Sequence, residues 1–183
     1  MKCTSGHHYV YGTLEDCLTK DILEDTDDER VRQKLFHFMI ETKGYRVCEL
    51  KPRVTIETTF DNKTVTSTID LLVSIADKAF MIVRYAAGSL VSRERSAIAA
   101  ARLICKDHQL PFAVVTNGRD AELLDTKTGK VIGNGVNSIP SALWVKEHLQ
   151  ELSFPAPPTG KGLEYEYRIL NAFDLERCCL PVE

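Results

Sequence analysis

The sequence lacks the features that would assign it to a membrane or secreted class. No run approaches the roughly 18 apolar residues that a membrane-spanning helix requires, and residues 1–8 contain no apolar signal core. None of the six cysteines is spaced as C-x-x-C, so a zinc site or a disulfide framework is a poor interpretation. We therefore expect a cytoplasmic protein with reduced thiols and no membrane partner.

The sequence also has little net charge and none of the best-known catalytic signatures. Its formal net charge of -3 removes the basic excess that is typical of proteins that wrap nucleic acid. A small nuclease can still be acidic, because its metal-binding carboxylates offset a local basic strip. A Walker loop, a Rossmann glycine pattern, a nucleophile elbow and an H-E-x-x-H pair are all missing. The enzyme classes that those motifs define are therefore excluded.

The hydrophobic pattern predicts one α/β domain. Hydrophobic residues make up 44% of the 183-residue chain, which is enough for a substantial core. Capping and acidic residues at 25–29 begin a helix, because they match its free N–H groups and its dipole. Helical spacing and strand alternation then predict strands at 54–60, 65–76 and 79–85, a helix at 92–107, strands at 111–116, 122–124 and 131–132, and a helix at 140–152. This order predicts a mixed central β-sheet flanked by helices.

A proline-rich segment divides the chain near its end. Residues 154–160 contain three prolines, which bar both a helix and a strand ladder. The sequence therefore predicts a domain at 1–153, a linker at 154–160, and a C-terminal helix and tail at 161–183. The apolar spacing of that helix leaves open a dimerising structural protein, in which the helix packs on another chain or in a homodimer.

Asp70 is the residue that stands out on physical grounds. It lies within the apolar run 69–73, and a carboxylate there is costly unless a partner compensates it. A metal ion is one such partner and a basic side chain is another. The local pattern alone leaves both alternatives open.

Six segments, spread over roughly residues 29–125, carry a resemblance to a known family: DERVRQKL (28–35), IDLLV (69–73), FMIVR (80–84), LVSRER (90–95), AAARL (99–103) and VVTNGRDAELLD (114–125). The order of elements around Asp70 resembles the PD-(D/E)xK nuclease core, which is the restriction-endonuclease-like fold. More closely, the chain resembles the N-terminal domain of type I restriction enzyme R subunits and their free-standing relatives.

The resemblance implies a Mg²⁺-dependent nuclease site and assigns roles to particular residues. Asp70 matches the family's first metal-binding acid and Glu29 matches its helix acid. Hard Mg²⁺ prefers such oxygen ligands, and phosphodiester attack uses a metal-activated water with a cation nearby. The family's Glu-x-Lys is replaced here by Ile82-Val83-Arg84. Ile82 cannot bind a metal, whereas Arg84 keeps a positive charge and could act in catalysis or contact a phosphate.

Two outcomes follow from this departure. The site could have migrated, with Glu57 or Glu94 as the second acid and Lys78 or Arg95 as the cation, which would give an active Mg²⁺-dependent endonuclease. Alternatively, catalysis has been lost and an Asp70–Arg84 salt bridge fills the site.

We expect the second outcome. In that case the chain is a nuclease-fold protein of DNA metabolism or restriction type with a degenerate catalytic motif, acting as a nucleic-acid-binding or protein-binding module. Arg84, Arg93 and Arg95 are the expected contacts to DNA, because the last two lie at a helix start, where the dipole favours phosphate.

Overall fold

The computed structural model describes residues 9–60 and 63–174, so the predicted tail at 175–183 lies outside the described residues. The elements follow one another as β1 Val10–Glu15, β2 Ile22–Thr26, α1 Asp27–Glu41, β3 Leu50–Phe60, β4 Lys63–Ile75, β5 Lys78–Tyr85, α2 Glu94–Leu103, β6 Phe112–Thr116, β7 Ala121–Asp125, β8 Lys130–Asn134, α3 Ala142–His148 and α4 Gly160–Asp174.

Six of the strands form one mixed sheet in the order β3-β4-β5-β6-β7-β8. Only the β5–β6 pairing is parallel, and the other four pairings are antiparallel. Because β5 and β6 run in the same direction, their carboxyl ends meet, with Tyr85 paired to Thr116. This confirms the predicted α/β class and gives the sheet one edge where the loops after two neighbouring strands come together.

Helices cover both faces of this sheet. Thr26 caps α1 by accepting a hydrogen bond from the backbone N–H of Glu29 at 3.2 Å, as the polar start of the helix predicted. Phe36 of α1 packs against Leu71 and Val83 on one face. The alanines of α2 pack against the opposite face, in the same cluster as Ile82. Small alanine side chains let α2 lie close to the strands.

The last helix packs on its own chain. Leu170 of α4 is fully buried in the core on the α2 side. Thr58 of β3 donates a hydrogen bond to Asn171 at 2.6 Å, and Arg102 of α2 pairs with Glu166 at 2.5 Å. This face of α4 is therefore not available to a second chain. Within residues 9–60 and 63–174, no helix is long and apolar enough to cross a membrane.

The structure differs from the sequence-based expectation in one hairpin and in the bounds of several elements. The strand β3 begins at Leu50 and not at 54, and the helix predicted at 92–107 covers Glu94–Leu103. The β1–β2 hairpin is not predicted, because its strands are mostly exposed and so show no clear alternation of apolar and polar residues. The helix predicted at 140–152 is shorter and covers Ala142–His148. It begins after Ser141, because the Ser141 side chain caps it by accepting from the N–H of Trp144.

Candidate functional site

Asp70 lies at a break in the ladder between β3 and β4. The pairs Pro52–Leu71 and Val54–Ile69 flank it, and Arg53 opposite has a left-handed backbone with φ of 51°. Ile69 packs in the core on the α2 side, whereas Leu71 packs on the α1 side. The strand therefore changes face at Asp70, which places the carboxylate near α1.

Both oxygens of Asp70 are occupied by protein donors. The Arg32 Nε donates to Oδ1 at 2.6 Å, and the backbone N–H of Tyr85 donates to Oδ2 at 2.7 Å. Asp70 is only 6% exposed. A charge-assisted pair and a backbone hydrogen bond together compensate the cost of burying this carboxylate.

Glu29 is held in a similar way from the first turn of α1. Its Oε1 accepts from the Arg53 guanidinium at 2.6 Å and from the Gln33 amide at 2.9 Å. Its Oε2 lies 3.5 Å from Arg32. Arg32 thus links Glu29 to Asp70, and the structure brings together the two acids that the sequence assigns to the site.

A third carboxylate, Asp16, joins them from the loop after β1. It is fully buried, and its Oδ2 accepts from Arg53 at 2.6 Å and from Gln33 at 3.1 Å. Burial raises the pKa of Asp16, but hydrogen bonds from the backbone of Thr19, from Arg53, from the backbone of Leu18 and from Gln33 together hold it below its ordinary value. Asp16 is therefore ionised at neutral pH.

These residues form one arginine–carboxylate network, which consists of Asp16, Glu29, Asp70, Arg32 and Arg53. Burial lowers the pKa of Arg32, but Asp70 and Glu29 raise it further, so the net change is upward and the guanidinium stays charged. Two guanidinium ions thus neutralise most of the charge of three buried carboxylates. The network ties the β1–β2 hairpin, α1, β3 and β4 together.

The residues of this network do not fit a Mg²⁺ ion as they stand. Mg²⁺ requires near-octahedral oxygen ligands at short distance, whereas the strongest oxygen contacts of all three carboxylates go to arginine or backbone nitrogen. Across residues 9–60 and 63–174, no group of three or more acidic, histidine or cysteine side chains is arranged to hold a metal. The metal and catalytic roles of Asp70 and Glu29 remain predictions.

Arg84 lies on the other side of the sheet from Asp70. Its guanidinium donates to Ser96 of α2 at 2.5 Å, and Ile82 is fully buried in the α2-side core. The β5 side chains on the α1 side of the sheet, where Asp70 lies, include Met81, Val83 and Tyr85. The expected Asp70–Arg84 salt bridge is wrong, because Asp70 pairs with Arg32 instead.

The other candidates for a migrated site lie elsewhere. Glu57 is exposed on β3, four positions or roughly 13 Å along the strand from Arg53. Glu94 begins α2, and after the larger effect of burial it helps to raise the pKa of Glu122. Lys78 lies at the far end of the hairpin, with its Nζ 3.5 Å from the centre of the Phe154 ring. Arg95 is exposed on α2.

Three arginines lie in the segments that follow β5 and β6, where they alternate with Glu94 and Asp120. The loops after these strands are joined by a hydrogen bond from the Asn117 side chain to the carbonyl of Gly88 at 3.2 Å. Arg93 is half-buried, and Arg95 and Arg119 are exposed. We refer to Arg93, Arg95 and Arg119 as the basic rim.

Tyr85, at the carboxyl end of β5, links this strand to α1. Its hydroxyl donates to Asp28 at 3.0 Å. Burial first, and then Asp28, raise the pKa of Tyr85 to about 12. The phenol therefore stays a hydrogen-bond donor at neutral pH.

Sequence reasoning missed Asp16, Arg32, Gln33 and Arg53. The spacing of Glu29, Arg32 and Gln33 at i, i+3 and i+4 places them on one helix face, and that signal could have identified two of the four. No pattern indicates Arg53, since it lies in a segment that alternates as a strand. Asp16 lies next to the hairpin that the sequence does not predict.

A family model matches most of the described chain. The model for the type I restriction enzyme R protein N terminus (HSDR_N) matches residues 27–140, which run from the start of α1 to just before α3. No curated protein and no solved structure matches the chain.

Proposed function

The chain belongs to the family of the type I restriction enzyme R protein N terminus, and on that premise we propose that it is a nuclease-fold module that binds nucleic acid without cleaving it. The site on which such a nuclease would depend has been converted into an internal ion-pair network. The module would serve DNA metabolism or restriction by recognition and not by hydrolysis.

One observation carries the non-catalytic part of this proposal. The strand next to Asp70 offers its carboxylate a backbone N–H from Tyr85, and neither an acid nor a lysine. Arg32 holds the remaining oxygen. A metal ion could therefore bind Asp70 only by displacing Arg32, and the neighbouring part of β5 supplies neither a second acid nor a lysine amine to orient an attacking water.

The basic rim supports binding to a phosphate backbone. Arg95 and Arg119 are exposed, and the rim lies at the carboxyl edge of parallel strands, where α/β proteins commonly bind ligands. Arg84 is only 8% exposed and is bonded to Ser96. We infer that Arg84 holds the first turn of α2 in place through Ser96, while the exposed arginines Arg95 and Arg119 contact the phosphates.

A binding titration tests this assignment. We expect the chain to bind a short fluorescein-labelled DNA duplex with an affinity that falls as salt rises. In the double variant R95A/R119A, affinity should drop several-fold, and the salt slope should fall by about one for each arginine–phosphate ion pair that the substitutions remove. The matched control is K106A/K130A, which removes two exposed lysines near the opposite end of β6 and β7. An equal reduction of affinity in both variants, or binding that salt does not affect, would contradict the proposal that DNA binds at the basic rim.

A cleavage assay tests the alternative, an active endonuclease. We expect no nicking of supercoiled plasmid by the wild-type chain with Mg²⁺ or Mn²⁺. Nicking by the wild type that disappears in Asp70→Asn would overturn the non-catalytic proposal. Equal nicking by both would point to a contaminating nuclease.

A protein partner is the second candidate, and the β1–β2 hairpin favours it. The hairpin surface exposes large apolar side chains at 50% or more: Tyr9, Val10, Tyr11 and Ile22. The same surface carries acids that would repel nucleic acid: Glu15, Asp21 and Glu24. If sedimentation shows a homodimer that Ile22→Asp dissociates, the hairpin is the interface. A monomer in both cases leaves only a different protein as the partner.

A further inference from the structure

A cleft of about 430 Å³ opens on the α1 side of the sheet, next to β7, β8 and the start of α3. This volume lies in the range of about 300–1,000 Å³ that is usual for small-molecule sites. Phe112 begins β6, whereas the basic rim follows the other end of that strand, so the cleft is a separate surface. Its apolar wall consists of Phe112, Leu123, Ile132, Ile139 and Trp144.

The loop that closes the cleft is fixed to the segment after α1 by three hydrogen bonds. The Tyr45 hydroxyl donates to the carbonyl of Pro140 at 2.9 Å, and the backbone N–H of Ala142 donates to the carbonyl of Lys43 at 2.8 Å. The Lys43 ammonium donates to the carbonyl of Asn137 at 2.9 Å. The walls are therefore held in place without a ligand, which lowers the entropic cost of binding one.

Lys43 is the charged residue in the lining, and it is only 9% exposed. Burial lowers its pKa below the ordinary lysine value. An ammonium group has three N–H donors, but among residues 9–60 and 63–174 its nitrogen has one hydrogen-bond acceptor, the Asn137 carbonyl, and the Phe38 ring centre lies 5.5 Å away. No carboxylate in that part of the chain forms an ion pair with it. A buried cation without a counter-ion is costly, and an anion in the cleft would compensate it.

Trp144 offers the cleft a flat apolar surface that is already held in position. Its ring stacks on the His148 ring, with 4.6 Å between centroids, and its centroid lies 6.5 Å from that of Phe112. Trp144 nevertheless remains 39% exposed, and Ile132 of β8 is 53% exposed. The described lining contains a lysine and no acid. Exposed apolar side chains beside a buried cation match a ligand that is apolar at one end and anionic at the other.

We propose that this cleft binds a small aromatic carboxylate, with its carboxylate on the Lys43 ammonium and its ring against Trp144. The mostly apolar wall disfavours a sugar or a free phosphate, because their many polar groups would be buried without partners. The volume suits a molecule of one or two rings. This activity goes beyond DNA binding, because it uses a different surface from the basic rim.

The experiment compares two probes of the same shape and different charge. Naphthoate carries a carboxylate, and naphthamide is its neutral counterpart. Calorimetry gives the two affinities, and quenching of Trp144, the only tryptophan of the chain, reports whether the probe lies in the cleft. The variants are Lys43→Met, which removes the charge and keeps an apolar stem, and Ile132→Asp, which adds a carboxylate at an exposed position of the wall. The control is Lys130→Met, an exposed lysine of the same strand as Ile132.

We expect the wild type to bind naphthoate at least about tenfold more tightly than naphthamide, because only the former makes a charge-assisted hydrogen bond to Lys43. Lys43→Met should bind the two probes with equal affinity. Ile132→Asp should weaken naphthoate more than naphthamide, because its carboxylate repels the anion. Lys130→Met should bind both probes as the wild type does.

Several results would overturn the proposal. One is equal affinity of the wild type for the two probes, or no binding of naphthoate. Another is a preference for naphthoate that persists in Lys43→Met. A change of Trp144 fluorescence with protein concentration alone, together with sedimentation as a dimer, would assign the cleft to a second copy of the chain. If Lys43→Met does not fold, Ile132→Asp becomes the deciding variant, and unchanged naphthoate affinity in it would be contrary. DNA binding is not a readout in any of these measurements.

Discussion

Arg32 illustrates how one side chain can compensate the charges of two buried carboxylates. Asp70 and Glu29 are 6% and 7% exposed, and each is compensated mainly by arginine. Removing one partner of a buried ion pair leaves the other charge without compensation, which costs more than the pair itself contributes. The intact ion pairs therefore contribute little to the free energy of unfolding, but the loss of any one partner destabilises the fold strongly.

Arg32→Met should be strongly destabilising. It leaves Asp70 without its guanidinium partner, and we expect unfolding free energy to fall by about 3–5 kcal/mol. Arg30→Met, two residues earlier on α1, should have a far smaller effect because the Arg30 side chain is 47% exposed, so solvent screens its pair with Asp25. Urea denaturation followed through Trp144 measures both. Similar midpoints for the two variants would show that the Arg32 pairs contribute little.

Asp16 should make stability depend on pH in the acid range. Its pKa in the folded protein lies below the ordinary value of 3.8, because hydrogen bonds outweigh burial. Its ionised form therefore stabilises the fold above that value, and this contribution is lost as pH falls through the lower folded pKa. In Asp16→Asn, the free energy of unfolding should decrease less steeply than in the wild type as pH falls below about 4. Asp21→Asn, at an exposed position in the same hairpin, should leave the fall unchanged, and an equal flattening would contradict the assignment.

The elements were more predictable than the contacts between them. The central meander and the polar start of α1 follow from alternation and capping, which are local properties of the chain. The network was only partly predictable, because it joins residues from Asp16 to Asp70 through tertiary packing. The face change at Asp70 had no local signal, since it depends on the left-handed backbone of Arg53 in the neighbouring strand.

The placement of α1 depends on a glycine in the β6–β7 turn. Gly118 has φ of 83°, and a Cβ atom there would lie 2.6 Å from Cγ1 of Val31. Gly118→Ala should cost about 2–4 kcal/mol, because a left-handed backbone and an overpacked contact add together. Gly129 also adopts a left-handed backbone, but a Cβ atom there would meet no atom within 4 Å, so Gly129→Ala should cost only about 1–2 kcal/mol.

Thermal or urea unfolding of both glycine variants separates the cost of the left-handed backbone from the cost of the contact with Val31. A movement of α1 would also disturb Arg32, which is adjacent to Val31. Gly118→Ala should therefore reduce the protection of buried amides in α1, as measured by hydrogen exchange. Equal destabilisation of the two variants would show that the contact with Val31 is not limiting.

At the scale of the whole molecule, the helix that follows the proline-rich segment packs on the α/β domain. After residues 154–159, α4 packs on α2, with Leu170 fully buried and Glu166 and Asn171 nearly so. The sequence predicts this segment as a linker to a separate helix and tail. Its backbone is irregular, but the helix that follows contributes to the same core as the sheet.

Removing residues 160–183 should therefore damage the fold and not merely change its assembly. The deletion exposes the apolar surface of α2 and leaves Thr58 and Arg102 without the α4 groups that they bind. Unpaired buried polar groups and exposed apolar area are both destabilising, so we expect aggregation or the disappearance of cooperative unfolding. Leu170→Ala isolates the packing contribution and should cost about 2–5 kcal/mol. Light scattering and thermal unfolding distinguish a helix α4 that mediates assembly from one that completes the core. A folded, monomeric truncated chain derived from a dimeric parent would show that α4 serves assembly, whereas an aggregated chain derived from a monomeric parent would show that it completes the core.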